Sequence, residues 1–236
     1  MRKLYEKRPV LFAVAWIAAY CMVMAPLKGE QGYAGPGMLL ALLAFAAGIT
    51  AFVKTNRLEG KCGLAGWPRD TGRFLYFLPM WVLATGNLWD GIGLSYRGMP
   101  LVIATLSMLL VGYVEEMIFR GFLFKAMLSQ GKAVTAVVVS AVTFGMGHIV
   151  NLLAGQASFD TVMQVLFAVS WGFILTMVFY KCGSLLPSIA AHAMIDVLSL
   201  YGADKPLVDA IYMAATVAGA VVYCLYLRRV KTAESA

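Results

Sequence analysis

The apolar segment 99–124 constrains the fold most strongly, because it is long enough to cross a membrane and yet carries three ionisable side chains. About 20 apolar residues are needed to cross the ~30 Å hydrocarbon core of a bilayer. One ionisable side chain at the centre of such a helix costs ~2.5–3.5 kcal/mol on the insertion scale, so it is retained for function or paired internally. Glu116 and Arg120 share one helical face and can pair. Glu115 is rotated away by about 100° and keeps its carboxylate for another use.

The composition extends this conclusion to the whole chain. Hydrophobic residues make up 61% of the 236 residues and charged residues 13%, whereas a soluble domain has about 45–50% and about 25%. We therefore predict an all-α fold, a polytopic membrane helical bundle of about eight transmembrane helices. It forms a single integral-membrane domain over residues 1–236, with a catalytic core that spans about residues 99–201.

Apolar runs of suitable length predict the individual spans. They cover residues 10–27, 37–53, 74–93, 99–124, 133–153, 161–180, 185–201 and 207–227. Loops with many basic residues alternate strictly with loops that have few. This alternation supports the number of spans, because a missed span would put basic loops on both sides of the membrane.

The basic residues also predict the orientation of the bundle. Of the 19 Lys and Arg residues, 15 fall in the tails and loops of one side, and only Lys28, Arg97 and Lys205 fall on the other. The positive-inside rule places the basic side, and with it both termini, in the cytoplasm. Because membrane topology explains the positive charge, we expect the lipid bilayer, and no nucleic acid, among the partners.

Two further groups of polar side chains fall within predicted spans. In span five, Phe144 is followed four residues later by His148 and then by Asn151. In span seven, His192 is followed four residues later by Asp196. The chain has only two histidines, and an ionisable group inside a membrane needs an internal partner. We therefore predict one shared polar site, with Phe144 and Asn151 as supporting residues.

The order of the spans allows these groups to meet. Spans four and five are predicted to form an antiparallel hairpin that turns near Gly131, a natural helix C-cap. Glu116 lies 15 residues before Gly131, and His148 lies 16 residues after Lys132. The two side chains therefore reach nearly the same level, at about 1.5 Å of rise per residue. Span seven starts from the same side, so His192 can point at this pair.

These residue types favour hydrolysis by an activated water molecule. A carboxylate near an imidazole can orient and deprotonate water, and a second histidine beside a hydrogen-bonding residue can stabilise an oxyanion. No serine or cysteine is positioned as an obvious nucleophile, and this chemistry requires no cofactor. The side chains of Glu115, His148 and His192 could instead bind zinc or another divalent metal, although the H-E-x-x-H spacing is absent.

The motifs resemble those of the CPBP family, the CAAX protease and bacteriocin-processing (Abi) membrane proteins, which includes the type II CAAX prenyl endopeptidase. The family pattern is E-E-x-x-x-R, then F-x-x-x-H, then H-x-x-x-N or D. The residues that match it, in this order, are Glu115, Glu116, Arg120, Phe144, His148, His192 and Asp196. The resemblance covers about residues 95–200 and implies a glutamate-type intramembrane endopeptidase.

The resemblance also implies a role for each motif. One Glu and one His activate the water, a second His and the Asp form the oxyanion site, and the Glu–Arg pair supports them. The pair that activates water is Glu115 with His148, the oxyanion pair is His192 with Asp196, and the supporting pair is Glu116 with Arg120. The prenyl-processing members carry Asn where this chain has Asp196. Because an ionised Asp cannot donate a hydrogen bond to an oxyanion, Asp196 is either protonated, orients His192 or binds a cation.

We therefore expect an endopeptidase of the bacterial cytoplasmic membrane that cleaves a membrane-associated peptide or protein in a cleft open toward the cytoplasm. One alternative is an immunity or partner-binding protein that keeps the same polar site without turnover. Another is an ion or small-molecule carrier. The sequence disfavours a carrier, because carriers often contain inverted repeats, whereas the polar groups of the predicted site here are confined to spans four, five and seven.

Overall fold

The computed structural model describes residues 1–68, 77–152, 155–203 and 205–232, and these residues form a helical bundle. The α-helices are α1 Arg2–Lys7, α2 Pro9–Gln31, α3 Pro36–Thr55, α4 Leu78–Ala84, α5 Met99–Glu116, α6 Lys125–Leu128, α7 Ala133–Met146, α8 Ser158–Cys182, α9 Leu186–Ser199 and α10 Pro206–Arg229. Within the described ranges the β-structure consists of one isolated antiparallel bridge between Ile92 and Gly202. The predicted all-α class is confirmed.

Six helical stretches in the described residues are long and apolar enough to cross a membrane. They are Pro9–Gln31, Pro36–Thr55, Met99–Leu128, Ala133–Leu152, Ser158–Cys182 and Pro206–Arg229. Each coincides with a predicted span. The seventh predicted span corresponds to the shorter apolar helix Leu186–Ser199. The chain is thus an integral-membrane protein, while the predicted count of eight and the side of the termini are not confirmed.

The third predicted span is not a single long helix in the part of it that the structure describes. Residues 74–76 lie outside the described residues, and the rest forms only α4 and a 3-10 turn, Gly86–Leu88. A helix of seven residues rises only about 10 Å. The break falls where Gly86, a poor helix former, packs directly on the ring of Tyr212. Next to it the Asn87 side chain donates to the Ile195 carbonyl at 2.7 Å, which anchors the turn on α9.

The predicted hairpin between spans four and five is present, and its first helix contains an unexpected segment. The chain turns between α6 and α7, where Gly131 has a φ of 80°. Between α5 and α6, residues Met117–Phe124 form a π-helix. Such segments are rare and occur frequently at functional sites. This π-helix begins directly after the two adjacent glutamates, Glu115 and Glu116, so the motif lies where the helix changes its winding.

Small residues let the helices around the polar groups approach closely. A Cβ added at Gly112 on α5 would lie 2.7 Å from the backbone nitrogen of Ala193 on α9. This contact brings the end of α5 against the helix that carries His192. A similar close approach occurs at Gly145, since an added Cβ would lie 2.7 Å from the Val169 nitrogen on α8. The crossing geometry of the bundle therefore depends on glycine at these interfaces.

Candidate active site

The centre of the polar site is an ion pair with a histidine attached to it. Arg120 Nη1 lies 2.9 Å from Glu116 Oε1, and both side chains are fully buried. The same carboxylate oxygen lies 2.9 Å from His192 Nδ1. Arg120 also donates to the Thr176 hydroxyl at 3.3 Å and to the Gly172 carbonyl at 3.4 Å. The predicted Glu116–Arg120 pair is thus present, and it fixes one face of the His192 ring.

The second nitrogen of His192 faces two other carboxylates. Nε2 lies 3.4 Å from Asp196 Oδ2, one helical turn further along α9, and 3.8 Å from Glu115 Oε2. Since Nδ1 is held by Glu116, only Nε2 remains to interact with the groups around it. The structure therefore brings Glu115, Glu116 and Asp196 around a single imidazole.

Glu115 is held by a residue that the sequence analysis did not identify. The Tyr20 hydroxyl donates to Glu115 Oε1 at 2.9 Å, from a buried position on α2. The other oxygen, Oε2, points toward His192. A tyrosine within a predicted span is itself a sequence signal, because its hydroxyl needs a partner there. No spacing rule, however, connects residues that are 95 positions apart.

The ring of Phe144 lies between the two histidines. It makes edge contacts with His148, at a centroid distance of 5.5 Å, and with His192, at 5.4 Å. The Arg120 guanidinium lies over the same ring, 4.2 Å from its centroid. His148 itself belongs to the 3-10 segment Gly147–Leu152, beyond the last turn of α7, and its Nδ1 lies 3.3 Å from the Phe144 carbonyl. Phe144 thus contacts both imidazoles.

Asn151, the other predicted supporting residue, lies in a different polar network. Its side-chain oxygen accepts a hydrogen bond from Lys28 Nζ at 3.1 Å, and its amide donates to the Gln164 side chain at 2.7 Å. It is buried, and it lies one helical turn beyond His148 on the 3-10 segment. Asn151 lines the same cavity as Glu115 and His148.

That cavity measures about 560 Å³ when the open space at its mouth is included. It extends from Tyr20 and Glu115 past His148 to Lys28 and Asn151. Glu115 and His148 both line this cavity, whereas His192 belongs to the hydrogen-bonded cluster that lies next to Glu115.

The cavity opens at the opposite end of the bundle from the expected one. Phe12, near the N-terminus, packs against Phe122 on the hairpin, so the N-terminus and the Gly131 turn share one end. The cavity instead runs to the end where α2 finishes, at Lys28. Within the described residues this cavity therefore lies away from the end that the basic loops predict to be cytoplasmic, and the side of the membrane on which it opens stays a prediction. His148, which lines the cavity, lies beyond α7 in the 3-10 segment.

The three side chains of the alternative metal site do not form one group in the structure. Within the described ranges, no group of three or more His, Cys, Asp or Glu side chains is arranged to hold a metal ion. The predicted ligand set Glu115, His148 and His192 is divided between the cavity wall and the buried cluster.

The fold and the site define a class, namely a membrane-embedded helical protein whose carboxylates and imidazoles lie in and beside the wall of a cavity. Residues 97–198 match the family described as Type II CAAX prenyl endopeptidase Rce1-like, and over this segment the chain is similar to that protease family. The segment includes every motif residue from Glu115 to Asp196, so the resemblance stated from the sequence is confirmed. No curated protein and no solved structure matches the chain.

Replacing Arg120 by Met should destabilise the protein by about 3–5 kcal/mol, because Glu116 would stay buried without its counter-charge. Thermal unfolding of the purified protein in detergent measures the change. The matched control is Arg2→Met, which removes an exposed pair with Glu6 at the same i, i+4 spacing and a distance of 2.8 Å. We expect no measurable change for this control. An unaltered melting temperature of Arg120→Met would contradict the role assigned to the buried pair.

Proposed function

We propose that the protein is a glutamate-type intramembrane endopeptidase that hydrolyses a peptide bond of a membrane-associated peptide or protein. The observation that carries this proposal is the unequal placement of the two adjacent glutamates. Glu116 is fully buried and bound to Arg120 and His192. Glu115 lines the cavity together with His148. One acid is thus engaged in structure, and the other is available to a substrate and a water molecule.

The proposed reaction is direct attack of water on the scissile carbonyl. Glu115 takes a proton from the water while the water oxygen bonds to the carbonyl carbon, with His148 orienting that water. The carbonyl oxygen becomes an oxyanion, and His192 stabilises it through Nε2–H when the ring carries a proton there. Glu115 then returns its proton to the departing amine, and the carbon–nitrogen bond breaks.

Asp196 has the role of orienting His192 in this proposal. Its carboxylate lies 3.4 Å from His192 Nε2 and one helical turn away on α9. A carboxylate at this position favours a proton on Nε2 and attracts it, and this contact together with that of Glu116 at Nδ1 sets the orientation of the ring. Of the three roles that the sequence leaves open, this distance supports orientation.

We further propose that the cavity is reached from the non-cytoplasmic face of a bacterial cytoplasmic membrane. Support comes from the 15 basic residues on the other side in the predicted topology and from the position of the cavity at the Lys28 end. Labelling of introduced cysteines with a membrane-impermeant maleimide tests this orientation. Ala157→Cys should react in intact cells, and Lys132→Cys should react only after permeabilisation. The reverse pattern would contradict the proposed topology.

Hydrolysis is tested with the purified protein and a farnesylated peptide that ends three residues beyond its cysteine, using mass spectrometry to detect release of the C-terminal fragment. Glu115→Gln and His148→Ala should each lower kcat by about 10²–10⁴-fold, because general acid–base catalysis contributes about that much. Glu30→Gln changes an exposed glutamate near the end of α2 and should leave kcat unaltered. Turnover that persists in both site variants would exclude the assigned mechanism.

Two further outcomes of this assay separate the alternative functions. A protein that binds the peptide without any turnover would favour the partner-binding alternative. Loss of activity in chelator, together with zinc in the purified protein, would favour zinc chemistry over a metal-free Glu–His centre. Turnover that continues in chelator would support the metal-free reaction.

Tyr20→Phe tests whether the hydroxyl holds Glu115 in its reactive position. A hydrogen bond to a charged group contributes about 1.5–3 kcal/mol, so kcat should fall about 10–100-fold while KM stays nearly constant. Tyr113→Phe is the matched control, since its hydroxyl contacts Thr50 at 2.7 Å, away from the cavity. Equal kcat values for the two variants would remove Tyr20 from the mechanism.

A further inference from the structure

Lys28 is a cation in the wall of the same cavity, and the water-attack mechanism does not use it. It lies in the last turn of α2, outside the segment 97–198 that matches the protease family. It lines the cavity together with Glu115 and His148. Its ammonium also lies 5.3 Å from the centroid of the Tyr33 ring, another cavity residue. A positive charge therefore faces the space in which a substrate would lie.

The ammonium is held in place by neutral groups. Lys28 Nζ donates to the Asn151 side-chain oxygen at 3.1 Å. Asn151 in turn donates to Gln164, which also accepts a hydrogen bond from Gln156 at 3.1 Å. Within the part of the chain that the structure describes, the ion pairs within 4.0 Å do not include Lys28. The network fixes the ammonium without neutralising its charge.

This arrangement differs from that of an ordinary lysine at the end of a span. Such a lysine extends to the membrane surface, where water and headgroups solvate it. Lys28 is instead only partly exposed and is directed to a buried asparagine. An ammonium has three donors, and the contact with Asn151 uses one of them. Two donors remain for an anionic acceptor in the cavity.

The spacing along α2 gives the distance between this charge and the proposed catalytic glutamate. Tyr20, which contacts Glu115, and Lys28 are eight residues apart on one helix. At ~1.5 Å per residue, this separation is about 12 Å along the axis. An extended peptide covers that length with about three to four residues at ~3.3 Å each. A substrate cleaved at Glu115 would thus bring a group a few residues away from the scissile bond to Lys28.

We propose that Lys28, positioned by Asn151, forms an anion subsite that takes a carboxylate of the peptide substrate about three to four residues from the scissile bond. The subsite rests on the proposed function, because its position is measured from Glu115. A peptide carboxylate is favoured over a lipid phosphate, because Lys28 lies in the wall of the cavity shared with Glu115. The cation selects the substrate and takes no part in bond cleavage.

The test measures binding in a background without cleavage. Full-length Glu115→Gln protein in detergent is titrated against a fluorescein-labelled farnesylated peptide that ends three residues beyond its cysteine, and anisotropy is recorded. The peptide is used as the free acid and as the C-terminal amide. The acid should bind about 10-fold more tightly, as a charge-assisted hydrogen bond implies. Adding Lys28→Met should abolish this preference, and adding Lys28→Arg should retain it.

Lys205→Met is the matched control, because Lys205 is an exposed lysine at the same end of the bundle, just before α10. It should retain the preference for the acid. Lys28→Gln, with a check of melting temperature, replaces Lys28→Met if the methionine variant does not fold. Equal binding of acid and amide to the Glu115→Gln protein, or a preference that survives both Lys28→Met and Lys28→Gln, would overturn the proposal.

A lipid-binding assay covers the competing source of the anion. One outcome is that the purified protein retains more phosphatidylglycerol than phosphatidylcholine in a manner that depends on Lys28, while the acid and amide peptides bind equally. This outcome overturns the proposal in favour of a headgroup site. The binding experiment also separates the subsite from the proposed function. If the wild-type protein does not cleave the peptide but the preference for the acid depends on Lys28, hydrolysis is disproved and the subsite is not. Normal cleavage without that preference would disprove the subsite alone.

Discussion

The buried pair between Glu116 and Arg120 is the interaction on which the rest of the site depends. Both side chains are fully buried, so each charge has lost its water and needs partners within the protein. Those partners come from two other helices, Thr176 and the Gly172 carbonyl on α8 and His192 on α9. The requirement for partners therefore ties α5, α8 and α9 together at one level of the bundle. It also fixes the orientation of the His192 ring.

The same pair explains how two neighbouring glutamates acquire different environments. Consecutive residues on a helix differ by about 100°, so Glu115 cannot share the partners of Glu116. Its side chain is 13% exposed and borders the cavity, while Tyr20 holds one of its oxygens. Two carboxylates in contrasting surroundings are a general way of separating a structural from a reactive acid. In this protein the contrast in surroundings follows from adjacency in the sequence.

The sequence predicts the polar residues and most of the helices, because both depend on local patterns. Hydropathy defines the spans around α2, α3, α5, α7, α8 and α10, and the i, i+4 spacing predicts the pairing of Glu116 with Arg120. The described part of the third predicted span is not one long helix, because the helix ends where Gly86 packs against Tyr212, a contact between distant segments. The π-helix after Glu116 and the 3-10 segment that carries His148 also escape prediction. Neither departs from the hydropathy pattern of a regular helix.

The direction of the cavity and the contribution of α2 depend on tertiary structure alone. Tyr20 and Lys28 lie far from the motifs in the sequence, and no spacing rule connects them with Glu115 or Asn151. They become visible as site residues only when α2 packs beside the hairpin. Half of the cavity wall thus comes from a part of the chain that carries none of the family motifs.

The division of roles between the two glutamates is tested most directly by comparing the melting temperatures of Glu115→Gln and Glu116→Gln in detergent. Glu116→Gln should melt about 5–10 °C below the wild type, since Arg120 would lose its buried counter-charge. Glu115→Gln should melt close to the wild-type temperature, because its side chain borders the cavity. Equal losses for both variants, or a larger loss for Glu115→Gln, would contradict the account.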